Sequence, residues 1–537
     1  MRWIGLAGAL AVATGAQAQA PAAPSADPVA GVFARFGADD PGCAVGVERT
    51  GQAPVLRGFG SADLEHGVAI TPDTIFEAGS VSKQFTAAAI LLLAADGKLA
   101  LSDDIRKYLP EMPDYGRPIT VDMLLSHTSG LRDWGEVAAL AGWPRTSRIY
   151  TPQEVLLIAA RQKSLNYTPG EAYSYTNTGY NLAGLIVQRV SGKSLAEFTK
   201  ERLFQPLGMT RTSWRDNFRR VVKDRAVAYT PGQNGNWLQE MPFENTYGHG
   251  ALLTTVGDLL IWNRALSEGR LGAGIAERMA ERPKLTGGRQ ITYARGLMVL
   301  PWSGREEVSH SGATAAYRAW LARVPSAGLS VALLCNRGDV NPTQIGHRVV
   351  DAVLPPPATP GAARLAPDQD LARFPGAYVD ERTGNVLRVV ADRGELRLRG
   401  GGAFQPQAEA GRYLGGGMDF AFAGDTVERL DPAGERVTFA RKAEWRPQEP
   451  ELLPLAGAYS SPEAGGVLVV SVKGGLAVAA PADRPSASYV LQPLYQDAFQ
   501  GDGNLIRIVR DAKGRPTALR FTNSRVYALD FRRVEAR

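Results

Sequence analysis

Two kinds of apolar segment alternate between residues 40 and 352. Short continuous apolar runs predict strands, and longer amphipathic or uniformly apolar segments predict helices. Because the two kinds do not follow the regular strand–helix alternation of a parallel sheet, we predict an α+β fold in which helices flank an antiparallel sheet. The predicted strands are 44–48, 319–324 and 329–335, and the predicted helices are 81–96, 182–191, 195–203 and 258–267.

Prolines crowd residues 354–367, and we predict a linker there. Beyond it, short alternating segments are broken by glycine and aspartate, and the sequence repeats itself at an offset of 80 or 81 residues. The repeat predicts two small antiparallel β domains, 368–446 and 452–537, each a barrel or a curved sheet. The repeated landmarks are 376–378 with 457–459, 386–390 with 467–471, and 431–434 with 511–514.

The first twenty residues have the pattern of a secretory signal peptide. Arg2 gives a positive start, residues 3–13 are apolar, and two overlapping Ala-x-Ala sites follow at 16–20. We expect residues 1–20 to be removed, the catalytic region to occupy 21–353, and the protein to be periplasmic or secreted. The apolar run is shorter than the roughly 20 residues of a membrane span, so we expect no stable span, the alternative being a permanent anchor.

Charge and composition narrow the classes of function. The 60 lysines and arginines outnumber the 54 acidic residues but are scattered, so we do not expect nucleic acid as a partner. Two cysteines and five histidines form no zinc-binding pattern, and we expect neither a metal nor another cofactor. Cys43 and Cys335 lie in predicted core strands, where we expect buried free thiols; the alternative is a disulfide between them.

A candidate nucleophile stands at the start of the predicted helix 81–96. Gly79 allows a tight turn, Ser80 lies at the helix N-terminus, and Lys83 follows one turn later on the same side. The free N–H groups of the helix end provide a positive field, and a nearby base would activate the hydroxyl. The alternative is that Ser80 is an ordinary N-cap, since Ser-x-x-Lys is common by chance.

Two further polar segments could complete such a site. Tyr175 and Asn177 lie in a predicted loop between elements, where catalytic side chains are often found. His310 and Ala313 precede the predicted strand 319–324. The alternatives are an ordinary turn for the first pair and a structural histidine for His310.

In this order, the Ser-x-x-Lys, Tyr-x-Asn and His-x-Gly motifs resemble the three motifs of the serine β-lactamase and penicillin-binding protein superfamily. The likeness covers residues 40–352 and points to the class C branch, which includes class C β-lactamases, family VIII carboxylesterases and bacterial D-aminopeptidases. The two trailing β domains resemble the pair of antiparallel barrels that D-aminopeptidases carry. The stretches that carry the likeness are 76–93, 124–131, 169–187, 250–262 and 309–318.

The resemblance implies a role for each residue of the motifs. Ser80 attacks a carbonyl group and becomes acylated, while Lys83 and Tyr175 together remove its proton and later activate water. Asn177 holds a substrate amide or amine. The backbone N–H groups of Ser80 and Ala313 form the oxyanion hole.

His310 bears on the choice of substrate, because the resemblance implies that it tunes the hydrogen-bond network or binds one end of the substrate. A β-lactamase has a permanent cation at this position, whereas a histidine with a pKa near 6.5 is mostly neutral at about pH 7 to 8. This favours a small peptide or ester as the substrate, and an aminopeptidase of D-aminopeptidase type above all. The alternatives are a carboxylesterase, a β-lactamase or, in a different class, an inactive wall-binding or regulatory protein.

The resemblance also implies that a loop of the last β domain presents an acidic residue to the substrate amine. Asp497 and Asp502, in the loop 495–504, are the expected groups. We expect two other tempting features, the motif at 127–130 and His249, to be structural turns.

Overall fold

The computed structural model of the chain describes residues 27–272, 274–354, 371–399, 402–407, 409, 411–416, 418–430 and 436–534. The expected signal peptide, the expected linker beyond Leu354 and the repeat landmark at 431–434 lie outside the described residues.

A six-stranded antiparallel sheet forms the centre of the first 350 residues, and helices cover both of its faces. The predicted α+β class is therefore confirmed. The three predicted strands are present, and a turn at Pro325–Ala327 joins two of them. In sheet order the strands are Met298–Trp302, Arg305–Thr314, Tyr317–Val324, Leu329–Cys335, Cys43–Arg49 and Val55–Phe59.

The two cysteines are joined by a disulfide, so the prediction of free thiols is wrong. Cys43 begins one strand and Cys335 ends its antiparallel neighbour, and the register places them directly opposite each other. Their Cα atoms are 4.0 Å apart and both side chains are fully buried. The sequence shows that both residues lie in core strands, but only the register shows that they face one another.

The helix that follows the candidate nucleophile is buried on nearly every side. It spans Lys83–Ala95 and is preceded by a turn of 3-10 helix, Gly79–Ser82. The other helices of this region are Pro28–Val32, Val121–Leu125, Trp134–Leu140, Pro152–Ala160, Asn177–Ser191, Leu195–Thr199, Gln205–Leu207, Val256–Ser267, Ile275–Ala280 and Pro342–Val353, with a π turn at Lys200–Phe204.

One helix begins earlier than predicted, which corrects the placement of Asn177 in a loop. The helix Asn177–Ser191 starts five residues before the predicted 182 because its polar first turns are buried and well bonded. The side chain of Thr176 caps the backbone N–H of Thr178, and Asp133 Oδ2 accepts the backbone N–H of Asn177 at 2.7 Å.

The C-terminal strands form two antiparallel units, as the repeat predicts. The first is an open eight-stranded sheet, here called the half-barrel, and the second is a closed eight-stranded barrel. The repeated Gly-Ala-Tyr landmarks begin the first strand of each unit. In sheet order the half-barrel strands are Glu395–Leu398, Asn385–Asp392, Gly376–Asp380, Arg436–Lys442, Thr426–Leu430, Met418–Ala423, Arg412–Gly415 and Gln405–Pro406.

A short helix, Glu449–Leu452, leads into the closed barrel. Each barrel strand pairs with the next along the chain, and the last pairs with the first, so successive turns lie at alternate ends of the barrel. The strands are Gly457–Ser461, Gly466–Lys473, Leu476–Pro481, Tyr489–Tyr495, Ala498–Gly501, Asn504–Arg510, Pro516–Asn523 and Val526–Arg533.

The closed barrel packs end-on against the helices that precede the Tyr-x-Asn motif. One buried apolar cluster includes Trp134, Tyr150 and Val155 from this side and the interior of the barrel from the other. Arg132 Nη1 bonds to Glu463 Oε2 at 2.8 Å across the contact. The half-barrel packs against the closed barrel, where Val379 shares a buried apolar cluster with Leu494 and Leu505. Among the described residues, no helix is long and apolar enough to cross a membrane.

Candidate active site

A cleft of about 710 Å³ lies between the central sheet, the turn at Gly79–Ser82 and one end of the closed barrel. Five of the six residues of the three sequence motifs line it: Ser80, Tyr175, Asn177, His310 and Gly312. The sixth, Lys83, is buried and contacts Ser80 Oγ from outside the cleft. The lining residues used below are Ser80, Arg145, Tyr175, Asn177, His249, His310, Ala313, Arg318 and Arg525.

Two glycines allow the turn that carries Ser80 to touch the strand Arg305–Thr314. Gly79 has a φ of 51°, and a Cβ atom on it would lie 2.6 Å from the backbone nitrogen of Ala313. A Cβ atom on Gly312 would lie 2.1 Å from the carbonyl oxygen of Ala78 and 3.0 Å from the backbone nitrogen of Ser80. The close approach therefore places the backbone nitrogens of Ser80 and Ala313 beside one another.

The hydroxyl of Ser80 contacts both candidate bases. Lys83 Nζ lies 3.1 Å from Ser80 Oγ, and the phenol of Tyr175 donates to the same oxygen at 2.7 Å. Lys83 also donates to Asn177 Oδ1 at 2.9 Å and to the carbonyl oxygen of His249 at 2.6 Å. A neutral amine with two N–H donors and one lone pair matches these three contacts if the lone pair accepts the Ser80 hydroxyl.

Burial sets the protonation of the two bases. It lowers the pKa of Lys83 well below its usual range, and the positive charge of Arg525 lowers that pKa further, while Asp133 raises it. Burial raises the pKa of Tyr175 to about 12, although its hydrogen bond with Ser80 acts in the opposite direction. Near neutral pH, Lys83 is therefore the proton acceptor and Tyr175 is a proton donor.

Asn177 and His249 hold Lys83 in place. Asn177 presents its Oδ1 atom to Lys83, so this oxygen contacts the base, a role that the sequence did not predict for it. His249, expected to be structural, supplies its carbonyl oxygen to Lys83, and its ring bonds to Asn181 and Arg145. The sequence did not indicate this contact, because a backbone carbonyl carries no residue-specific signal.

His310 lies on the strand beside the nucleophile and is neutral. Its Nδ1 atom lies 2.6 Å from the carbonyl oxygen of Ser311, and its Nε2 atom lies 2.9 Å from the hydroxyl of Tyr293. Burial is the main reason that the pKa of His310 falls to about 3. The permanent cation expected of a β-lactamase is therefore not supplied from this position.

The motif at 127–130 lies behind the site. The His127 ring is fully buried against the ring of Tyr175, with centroids 4.3 Å apart, and its Nδ1 atom accepts the backbone N–H of Thr176. Ser129 Oγ is buried and accepts the backbone N–H of Leu131. These contacts orient Tyr175 and leave Ser129 outside the residues that line the cleft.

The expected acidic loop is interrupted by the strand Ala498–Gly501, so Asp497 and Asp502 lie in turns at opposite ends of the barrel and neither lines the cleft, which corrects their placement. The turn containing Asp497 is at the barrel end remote from the catalytic region, and its carboxylate pairs with Arg510 at 2.6 Å. Asp502 lies at the near end but does not line the cleft. Sequence spacing could not show which barrel turns share an end with the site.

A different barrel turn reaches the site and brings an arginine. The strands Pro516–Asn523 and Val526–Arg533 are joined by Ser524 and Arg525. Of the described residues that line the cleft, Arg525 is the one from the barrel. The short Asn-Ser-Arg-Val turn signals a hairpin in the sequence, but nothing local to it indicates the neighbouring Tyr175.

The fold together with the Ser80, Lys83 and Tyr175 arrangement defines a serine hydrolase of the β-lactamase and penicillin-binding protein type. The chain belongs to the Beta-lactamase family, whose model matches residues 29–354. The resemblance inferred from the motifs is thereby confirmed.

Proteins named D-aminopeptidase are similar to this chain over most of its length. It is 28% identical over 445 residues to a D-aminopeptidase of Gluconobacter oxydans, covering 81% of this chain and 82% of that protein. It is 27% identical over 363 residues to a D-aminopeptidase of Brucella anthropi, covering 67% and 68%. The structure of the octameric penicillin-binding protein homologue from Pyrococcus abyssi is similar with a TM-score of 0.55 and 26% identity, covering 75% of this chain and 96% of that one.

Proposed function

We propose that this chain is an exported aminopeptidase of D-aminopeptidase type, which hydrolyses small amides and peptides through an acyl-enzyme on Ser80. The observation that carries the proposal is the contact of one hydroxyl with a base and with a proton donor: Lys83 Nζ at 3.1 Å and the Tyr175 phenol at 2.7 Å. The two relatives named D-aminopeptidase support the amide substrate and its stereochemistry.

In the acylation step, the neutral amine of Lys83 takes the proton of Ser80, and Oγ attacks the substrate carbonyl carbon. The carbonyl oxygen becomes negative between the backbone N–H groups of Ser80 and Ala313, which stabilise it. As the C–N bond breaks, Tyr175 gives its proton to the leaving nitrogen, and Lys83 returns a proton to Tyr175. The amine product leaves, and Ser80 carries the acyl group.

Deacylation repeats the proton transfers in reverse order. A water molecule loses a proton to Lys83 by way of Tyr175 and attacks the acyl carbon. The Ser80–carbon bond breaks, and Oγ takes back a proton from Lys83. The low pKa of Lys83 suits this role, since a neutral amine must be present at the start of each half-reaction.

Export is supported by two features. The N-terminal residues have the pattern of a signal peptide, and Cys43 and Cys335 form a disulfide. Disulfides are typical of oxidising compartments such as the periplasm.

A carboxylesterase is the second candidate. Of the described residues that line the cleft, none is acidic, so a protonated substrate amine meets no carboxylate there. An uncharged ester would not need a carboxylate in the cleft. The neutral His310 disfavours the β-lactamase alternative, and the intact contacts of Ser80 disfavour an inactive protein.

The test compares three chromogenic substrates on the full chain: D-alanine p-nitroanilide, its L enantiomer, and p-nitrophenyl butyrate. We expect the highest kcat/KM for the D-anilide and no turnover of any substrate by Ser80→Ala. Ser129→Ala is the matched control and should retain turnover. A wild-type enzyme that cleaves the butyrate ester but neither anilide would favour the carboxylesterase.

A further inference from the structure

The hairpin that carries Arg525 is fixed to the catalytic region by its main chain. The carbonyl oxygen of Arg525 accepts the backbone N–H of Asp133 at 3.2 Å and the side-chain amide of Asn166 at 3.0 Å. The carbonyl oxygen of Ser524 accepts the hydroxyl of Ser174 at 2.9 Å. Asn523 Oδ1 accepts the backbone N–H groups of Arg525 and Val526, which closes the turn. The position of residue 525 is therefore set without its side chain.

The guanidinium of Arg525 has no hydrogen bond or ion pair with any residue that the structure describes. Its carbon atom Cζ lies 5.1 Å from the centroid of the Tyr175 ring. The two other arginines of the cleft are occupied, because Arg145 pairs with Glu244 and Arg318 donates to backbone carbonyl groups. Arg525 thus offers the planar pair of donors that binds a carboxylate best.

The charges around this guanidinium leave it attractive to an anion. Asp133 is buried, and its oxygens accept the backbone N–H groups of Gly135, Glu136 and Asn177. Burial raises the pKa of the Glu136 carboxyl, and the charge of Arg525 acts in the opposite direction. Glu136 Oε2 accepts the side-chain amide of Asn523 at 3.2 Å and makes no ion pair with Arg525. No acidic residue is among the described residues that line the cleft. A half-buried cation without a carboxylate partner favours a negatively charged group on the ligand.

The position of Arg525 indicates which end of the substrate carries that group. Tyr175 protonates the leaving nitrogen in the proposed reaction, and Arg525 lies over the Tyr175 ring. In a peptide whose last residue is the leaving group, the free carboxylate is only one carbon atom beyond that nitrogen. It therefore lies on the same side of the cleft as Arg525.

We propose that Arg525 binds the C-terminal carboxylate of the leaving residue, so that the preferred substrates are short D-peptides that end one residue after the scissile bond. This inference rests on the proposed function and narrows it. The enzyme prefers a D-dipeptide with a free carboxylate to the corresponding dipeptide amide, because the amide places no charge near the guanidinium.

The test measures kcat/KM for D-alanyl-D-alanine and for D-alanyl-D-alaninamide, which differ only in this carboxylate. We expect the ratio of acid to amide to exceed one in the wild type and to fall at least about tenfold in Arg525→Gln. Arg525→Glu should favour the amide. The substitution also changes the pKa of Lys83. Because Lys83 acts on both substrates, this effect cancels in the ratio.

The matched control is Arg515→Gln, which removes the same charge from an exposed turn of the same barrel, where Arg515 pairs with Asp511. This variant should keep the wild-type ratio. Labelling of Ser80 by a fluorophosphonate verifies that each variant keeps a folded site. An unchanged ratio in Arg525→Gln overturns the inference while the proposed function stands. A wild-type enzyme that labels at Ser80 but cleaves neither dipeptide overturns the proposed function and the inference together.

Discussion

The proton balance of the site depends on Lys83, a lysine that burial keeps neutral. Its pKa lies well below the usual range because the amine is buried and because Arg525 and Arg145 add positive charge nearby. A base of this kind works when it is unprotonated. The rate should therefore fall as the pH drops through the pKa of Lys83 and level off above it.

The sign of this dependence can be tested with Arg525→Gln and D-alanine p-nitroanilide, a substrate that has no carboxylate for Arg525 to bind. Removing the positive charge of Arg525 favours protonated Lys83, which raises the pKa of Lys83. We expect the acid limb of kcat/KM to move to higher pH, and Arg515→Gln to leave it in place. An acid limb that moves to lower pH would contradict the assignment of Lys83 as the base.

Lys83 and Tyr175 should act as one unit, since both contact Ser80 Oγ. We expect Lys83→Ala and Tyr175→Phe each to lower kcat by about 10²- to 10⁴-fold, and the double variant to lose little more. The measurement is kcat for the two single variants and the double variant. Multiplicative losses would show that the two groups act independently.

At the scale of residues, the sequence predicted the nucleophile and its partners but missed the contacts that depend on the backbone or on distant elements. Ser80, Lys83 and Tyr175 are identified by side-chain chemistry and motif order. The carbonyl oxygen of His249 and the guanidinium of Arg525 become part of the site only through tertiary packing. Asp497 was misplaced for the same reason.

At the scale of elements, the turn at Gly79–Ser82 and the strand Arg305–Thr314 must touch for the oxyanion hole to form. The sequence predicted a tight turn at Gly79 but not the strand Arg305–Thr314. It also did not indicate that the carbonyl oxygen of Ala78 lies against Gly312 and leaves no room for a side chain there. A Cβ atom there would lie only 2.1 Å from that oxygen, so backbone must move.

We predict that Gly312→Ala lowers kcat about 10²- to 10³-fold, because the strand moves away and the Ala313 N–H group no longer meets the oxyanion. The measurement is kcat together with the rate of Ser80 labelling by a fluorophosphonate. Gly287→Ala is the control, since a Cβ atom at Gly287 meets nothing within 4 Å. Wild-type kcat in Gly312→Ala would show that this close approach is unnecessary.

At the scale of the whole molecule, the closed barrel is part of the catalytic structure. The repeat predicted two antiparallel units. A sequence repeat does not indicate which end of the barrel packs against the catalytic region. The structure shows that turns at one barrel end hold the contacts, through Glu463 to Arg132, Asp483 to Trp143, and the Arg525 hairpin. The shared apolar cluster around Trp134 makes the two regions interdependent.

We predict that Glu463→Ala lowers the free energy of unfolding by about 3 kcal/mol, because it leaves the buried guanidinium of Arg132 without its carboxylate. Urea unfolding followed by tryptophan fluorescence measures the change. Glu395→Ala, which removes an exposed partner of Arg397, is the control and should cost less than about 1 kcal/mol. Equal effects of the two substitutions would mean that the barrel contact contributes little to stability.

The most direct test of the central claim is mass spectrometry of the full chain quenched during turnover of D-alanine p-nitroanilide, followed by peptide mapping. We expect a D-alanyl group on the peptide that contains Ser80, in the wild type and in Ser129→Ala but not in Ser80→Ala. An acyl group on any other residue, or turnover by Ser80→Ala at a rate close to that of the wild type, would contradict it.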